Sequence, residues 1–165
     1  MPPLTTSVSS ERLSPRELGA WRGLLSAHAA LIRDLDAELE AAHGLPLSSY
    51  EVLVHLENAP RQRMRMRDLA EAALLSRSGL TRLIDRLSRD GLVGRCCCNS
   101  DARGSFAVLT EAGRERLQEA RATHLEGVRR GFVEHFSEEE LDQLAGFWKR
   151  LGPGAADVAP GVRAQ

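Results

Sequence analysis

The chain has 165 residues, 27% of them charged, 42% hydrophobic and only 4% aromatic, with a net charge of −1. That length suffices for one domain with a real core, which must be built mainly from Leu, Ala and Val. No apolar run reaches the length of a membrane span, the opening MPPLTTSVSS has neither the basic start nor the apolar stretch of a secretion signal, and three adjacent Cys cannot make a disulfide framework, so a soluble cytoplasmic protein is expected.

In chain order, residues 1–13 read as a disordered tail. Ser14-Pro15-Arg16-Glu17 combines an N-cap, Pro at the first helical position and Glu at the capping-box position. Leu18, Trp21, Leu24, Leu25, Leu31, Leu35 and Leu39 follow as a helical stripe that Gly44 stops. Such a helix of roughly 30 residues is about 45 Å long, more than one small domain covers, so part of it should pack on a second subunit. Ser48-Ser49-Tyr50-Glu51 reads as a second capping box opening a short helix through Val52, Leu53 and Leu56, ended by Asn58-Ala59-Pro60. Arg61 to Arg67 suits a short extended edge piece. Asp68 to Leu75 reads as a two-turn helix with Leu69, Ala70 and Ala73 inward, and Ser76 caps a helix with Leu80, Leu83, Ile84 and Leu87 inward, ended by Gly91. Leu92 to Cys98 and Ser105 to Leu109 read as paired strands around a turn at 99–104. Thr110 caps a long helix with Leu117, Leu125, Val128 and Phe132 inside. Ser137-Glu138-Glu139-Glu140 is a third capping box, its acids at the positive helix end, before a stripe of Leu141, Leu144, Trp148 and Leu151. Residues 152–165 read as disordered.

Charge is distributed unevenly. Residues 61–104 hold ten Arg against five acids, a net of +5, while the rest holds twelve basic and eighteen acidic residues, a net of −6. A basic centre between acidic arms concentrates affinity for phosphate in one place. Within that centre, two short helices joined tightly make a helix-turn-helix. The second presents Ser76, Arg77, Ser78, Thr81 and Arg82 outward in its first two turns and Arg86 outward beyond them, where guanidinium and hydroxyl groups can meet base edges and phosphates. The hairpin adds Arg95, and its turn, Asn99-Ser100-Asp101, leads to Arg103 and Gly104. A guanidinium at such a tip suits a narrow minor groove, with Asp101 placed to orient it.

The run LTRLIDRLSRDGLVGR (80–95), then Asp101-Ala102-Arg103-Gly104, then Val108-Leu109-Thr110-Glu111-Ala112-Gly113, resembles the MarR family of bacterial winged-helix regulators. The motifs match from about Tyr50 to Leu117, and the order and length of elements from Ser14 to Leu151. The resemblance implies a mainly α (α+β winged helix) domain over 14–151. A winged helix-turn-helix DNA-binding lobe at 48–110 would be flanked by dimerisation helices at 14–47 and 111–151. It implies a recognition helix at 76–90, a wing at 95–106, and a homodimer on pseudo-palindromic double-stranded DNA, usually as a repressor. It also implies release by a small phenolic or other anionic effector bound between the dimerisation helices and the DNA-binding lobe. The sequence departs from the family pattern at Arg67, where Ser or Thr more often caps the first motif helix; Arg67 becomes a candidate phosphate contact instead. The second departure is Cys96-Cys97-Cys98.

That triplet makes a cysteine-based redox response an alternative, with Cys96 and Cys98 on one strand face and Arg95 beside them. Structural filler is preferred, because oxidant-sensing relatives carry their Cys in the first helix. No metal is expected, since no second Cys or His pair stands at ligand spacing. His55-x-Glu57 lacks the Pro-Cys-x-x-Cys partner of a deaminase zinc site. With no phosphate loop and no nucleophile elbow, neither an enzyme nor a cofactor is expected. Trp21, Arg22, His28, Tyr50 and His55 are the candidate effector pocket, with titratable His side chains. A winged-helix protein-docking module is the other alternative, but it should show exposed apolar anchors where the second motif helix carries Arg.

Overall fold

A computed structural model describes residues 12–97 and 105–151. The tails expected at 1–13 and 152–165 lie almost wholly outside the described residues. So do Cys98 and the turn at 99–104 with Asp101, Arg103 and Gly104.

The first helix, α1 (Pro15–His43), starts at a formed capping box: Ser14 Oγ accepts from the Glu17 N–H, and Glu17 Oε2 accepts from the Ser14 N–H at 2.7 Å. It ends at Gly44, whose φ of +59° is the left-handed conformation that lets its N–H reach the Glu40 carbonyl. Only its second half is buried, at Leu35 and Leu39. There it runs antiparallel to α5 (Glu111–Gly131), with Leu31 against Gly131, Leu35 against Gly127 and His43 Nε2 2.8 Å from Thr123 Oγ1. A Cβ at Gly127 would sit 2.7 Å from Leu35 Cδ2, so the missing side chain sets how closely the two helices approach.

Helix α2 (Leu47–Asn58) begins earlier than its sequence suggests. Its N-cap is Pro46, and no capping box forms at Ser48. The orphan N–H of Leu47 is met by Asp36 Oδ1 of α1 at 2.8 Å, a partner eleven residues away, which leaves Ser49 inside the helix and buried. A 3₁₀ turn at Pro60–Gln62 follows, with Arg61 and Gln62 at φ +57° and +53°. The extended piece expected over 61–67 is confined to β1 (Arg63–Arg65). Helix α3 (Met66–Ala72) then starts two residues earlier than expected, which puts Arg67 inside it and makes Arg65 the N-cap residue, whose side chain does not cap the helix.

Helix α4 (Arg77–Arg89) has the Ser76 cap, with Ser76 Oγ accepting from the Gly79 N–H at 3.0 Å, and buries Leu80, Leu83, Ile84 and Leu87. Gly91 (φ +74°) turns the chain into β2 (Val93–Cys97), which pairs antiparallel with β3 (Ser105–Leu109) from Val93↔Leu109 to Cys97↔Ser105. Strand β1 lies on the other side of β3, giving the order β1-β3-β2. Thr110 Oγ1 accepts from the Gly113 N–H and donates to the Gly91 carbonyl at 2.7 Å, tying the end of α4 to the start of α5. A Cβ at Gly113 would lie 2.1 Å from the Leu92 carbonyl oxygen, so only glycine fits there. After Val133–His135, Ser137 and Glu140 form the expected capping box of α6 (Glu138–Trp148).

One core joins Leu35 and Leu39 of α1 to Val52, Leu53 and Leu56 of α2, Leu69 of α3, the α4 stripe, Val93, Ala107 and Leu109 of the sheet, and Leu117 of α5. Among the described residues, the first half of α1 and the segment 132–151 stay outside it. Leu13, Trp21, Leu24, Leu25 and Ile32 are exposed, as are Val133, Phe136, Phe147 and Leu151.

Candidate nucleic-acid interface

The apolar stripe of α4 fixes its rotation, since four buried side chains at helical spacing leave one orientation. Ser76, Arg77, Ser78, Thr81, Arg82, Asp85, Arg86 and Arg89 are exposed. Their hydroxyls are partly engaged: Ser76 Oγ caps the helix and lies 3.3 Å from Ser78 Oγ, and Thr81 Oγ1 donates to the Arg77 carbonyl. Arg77 and Arg82 extend from the first two turns. Beside them a groove of about 700 Å³ is bounded by Arg65, Met66, Arg67, Asp68, Arg77, Thr81 and Ser105, three guanidinium groups to one carboxylate. The early start of α3 is what brings Arg67 to this groove. On the outer sheet face Arg63 and Arg65 lie over the Phe106 ring, at 5.4 and 5.1 Å from its centroid.

Two arginines expected to reach outward make protein contacts instead. Arg86 Nη2 donates to the buried Ser49 Oγ at 2.8 Å, linking α4 to α2. Arg95 Nη2 donates to Asp85 Oδ1 at 2.5 Å, linking β2 to α4. Neither bond follows from local sequence, because both partners are set by tertiary packing.

The five residues expected to line an effector pocket divide between α1 and α2. Trp21 and Arg22 stand exposed on the unpacked half of α1. His28 acts on Glu51, whose carboxyl burial pushes up and His28 pulls back down. Tyr50 is buried and His55 half-buried, its imidazole pushed down by burial. What surrounds Tyr50 comes from α5: its ring lies 4.4 Å from that of His124, and the Arg121 guanidinium, ion-paired with Glu57, acts on its hydroxyl and pulls it back down against burial. Burial pushes the Tyr50 hydroxyl up and the His124 imidazole down. Sequence reading missed His124 and Arg121; their one signal is a spacing of three on a helix, which places them on one face.

Cys96 is a free, exposed thiol on β2; the side chain of Cys97 and all of Cys98 lie outside the described residues. Among the described residues no three His, Cys, Asp or Glu converge as a metal-binding group, and no helix is long and apolar enough to cross a membrane.

A sequence profile of the MarR family matches residues 43–104, from the end of α1 to the hairpin. AbsC of Streptomyces coelicolor, a MarR family transcriptional regulator, is 38% identical in sequence; the match covers 86% of this chain and 95% of that one, with a TM-score of 0.80. The chain belongs to the MarR family. A second MarR family regulator from Streptomyces coelicolor, Sco3205, solved in complex with DNA, is 33% identical over 90% of this chain and 97% of its own, with a TM-score of 0.82. The HTH-type transcriptional repressor YetL of Bacillus subtilis is 31% identical over 112 residues, 68% of this chain, which spans 65% of YetL's length. As a MarR family member the protein is a winged-helix, DNA-binding transcriptional regulator and not an enzyme.

Proposed function

We propose that the protein is a homodimeric repressor that binds a pseudo-palindromic operator through two copies of the α4 surface. The observation that carries this is the outward face of α4 and its groove, where Arg65, Arg67, Arg77 and Arg82 gather at the start of two helices. In this reading Arg77, Arg82, Ser76, Ser78 and Thr81 enter the major groove, and Arg67 meets phosphate. Arg103, with Asp101 and Gly104, follows the minor groove. The exposed apolar residues of α1, together with Val133, Phe136, Phe147 and Leu151, supply the dimer interface; a monomer rarely leaves so many large apolar side chains uncovered. Two DNA-binding lobes then contact half-sites about one helical turn apart. Such a regulator works in the cytoplasm, where the DNA is.

The junction of α2 and α5 supports a small aromatic or anionic effector, since Tyr50, His124 and Arg121 supply ring faces and a guanidinium there. A redox response has the exposure of Cys96 in its favour. A protein-docking role has little support, because the outward face of α4 offers polar groups and no large apolar anchor.

The test is gel retardation on the protein's own promoter region, with mass measurement in solution. A dimer and a salt-sensitive shift at submicromolar protein are expected. Arg77→Ala or Arg82→Ala should each weaken the shift by about 1–3 kcal/mol, and Arg103→Ala should lose most at narrow A·T-rich sites. A monomer, or no shift at low salt, defeats the reading.

A further inference from the structure

We propose that Asp85 and Arg95 form a positioning pair that sets the wing strand against the recognition helix, so that both reach the duplex in one fixed relation; this rests on the DNA-binding reading above. Arg95 lies opposite Ala107 in the β2–β3 register, and Ala107 is fully buried, so Arg95 sits on the sheet face turned toward the core and α4. From there its guanidinium reaches Asp85 Oδ1 at 2.5 Å. Asp85 is seven residues after Ser78 and four after Thr81, on the outward side of α4. Two residues beyond Arg95, β2 ends at Cys97 and the chain enters the hairpin tip. The pair therefore joins the base of the wing to the helix about two turns behind its leading end.

Charge gives a second reason. A carboxylate on the outward side of a recognition helix repels phosphate unless a cation holds it. Arg95 neutralises Asp85; an Arg95 that bound phosphate instead would leave Asp85 bare beside the DNA. With side chains 41% and 51% exposed, the pair adds little to overall stability, so its value lies in geometry. Arg86, the next residue, donates to Ser49 of α2, so adjacent residues of α4 are held from the sheet and from the core.

The experiment measures fluorescence anisotropy with a duplex that the parent selects from a random-sequence library, across a salt series, alongside hydroxyl-radical footprinting. Asp85→Asn removes a negative charge from the DNA-facing side, so charge alone predicts tighter binding. A positioning role predicts binding weaker by about tenfold, with protection lost where the wing lies and kept where α4 lies. Arg95→Gln, which leaves Asp85 bare, should weaken binding at least as much, and Asp85→Asn combined with Arg95→Gln, which keeps the pair's net charge, should leave the salt slope unchanged. The reversed pair Asp85→Arg with Arg95→Asp should recover most of the loss, and recovery also shows that the chain folds. Asp85→Asn binding as tightly as the parent or tighter overturns the proposal. So does a salt slope reduced by about one per half-site in the Asp85→Asn, Arg95→Gln double variant, which would make Arg95 a phosphate ligand. If the parent selects no duplex at all, the DNA-binding reading falls, and this proposal with it.

Discussion

Leu74 closes the turn between α3 and α4 with φ +53° while 92% of its surface is exposed. A left-handed backbone costs an L-residue with a Cβ about 1–2 kcal/mol, and an exposed side chain recovers almost none of it by packing. Leu74→Asn, which tolerates this conformation, should raise stability by about 0.5–1 kcal/mol. A lower melting temperature for that variant would mean that Leu74 is held by contacts the isolated chain does not show. The same scale shows where sequence reading stops. The outward residues of α4 were legible because four inward apolar positions fix the helix rotation. The engagement of Arg86 with Ser49 and of Arg95 with Asp85 was not, because a strand register and a helix start decide them.

At the scale of elements, two of three capping boxes formed as read, at Ser14 and Ser137. The third failed because Asp36 of α1 supplies the cap from outside, moving the start of α2 to Leu47. Local motifs report helix starts faithfully only when no tertiary partner competes for the same N–H. The joint between α4 and α5 is tertiary in the same way. Thr110 bonds the Gly91 carbonyl, and Gly113 lies against the Leu92 carbonyl with no room for a methyl group. The atom in the way is backbone, so it cannot turn aside as a flexible side chain would. Gly113→Ala should therefore destabilise the fold by about 1–3 kcal/mol or more, despite the better helix propensity of Ala. A chemical-denaturation midpoint equal to the parent's would contradict that close approach.

For the molecule as a whole, the α2–α5 junction couples stability to pH. Burial pushes the imidazoles of His124 and His55 down, so the folded chain binds fewer protons than the unfolded chain, whose His titrates near 6.5. Their contribution is complete above that value and is lost as pH falls through the lower folded values. The melting temperature should drop between about pH 7 and pH 5.5, and His124→Gln should flatten part of the drop. A parent that melts at the same temperature across this range would rule the coupling out.

The uncovered first half of α1 has a consequence for dose. A stretch of fewer than about 15 residues makes a marginal helix in water by itself, so its order depends on what it packs against. If that partner is a second copy, ordering the helix, pairing the chains and presenting two lobes are one equilibrium, and protein concentration enters it squared. Operator occupancy then rises more steeply than in proportion to the amount of protein. A modest fall in expression, or growth that dilutes the chain, would empty the operator sooner than the affinity of the assembled dimer implies.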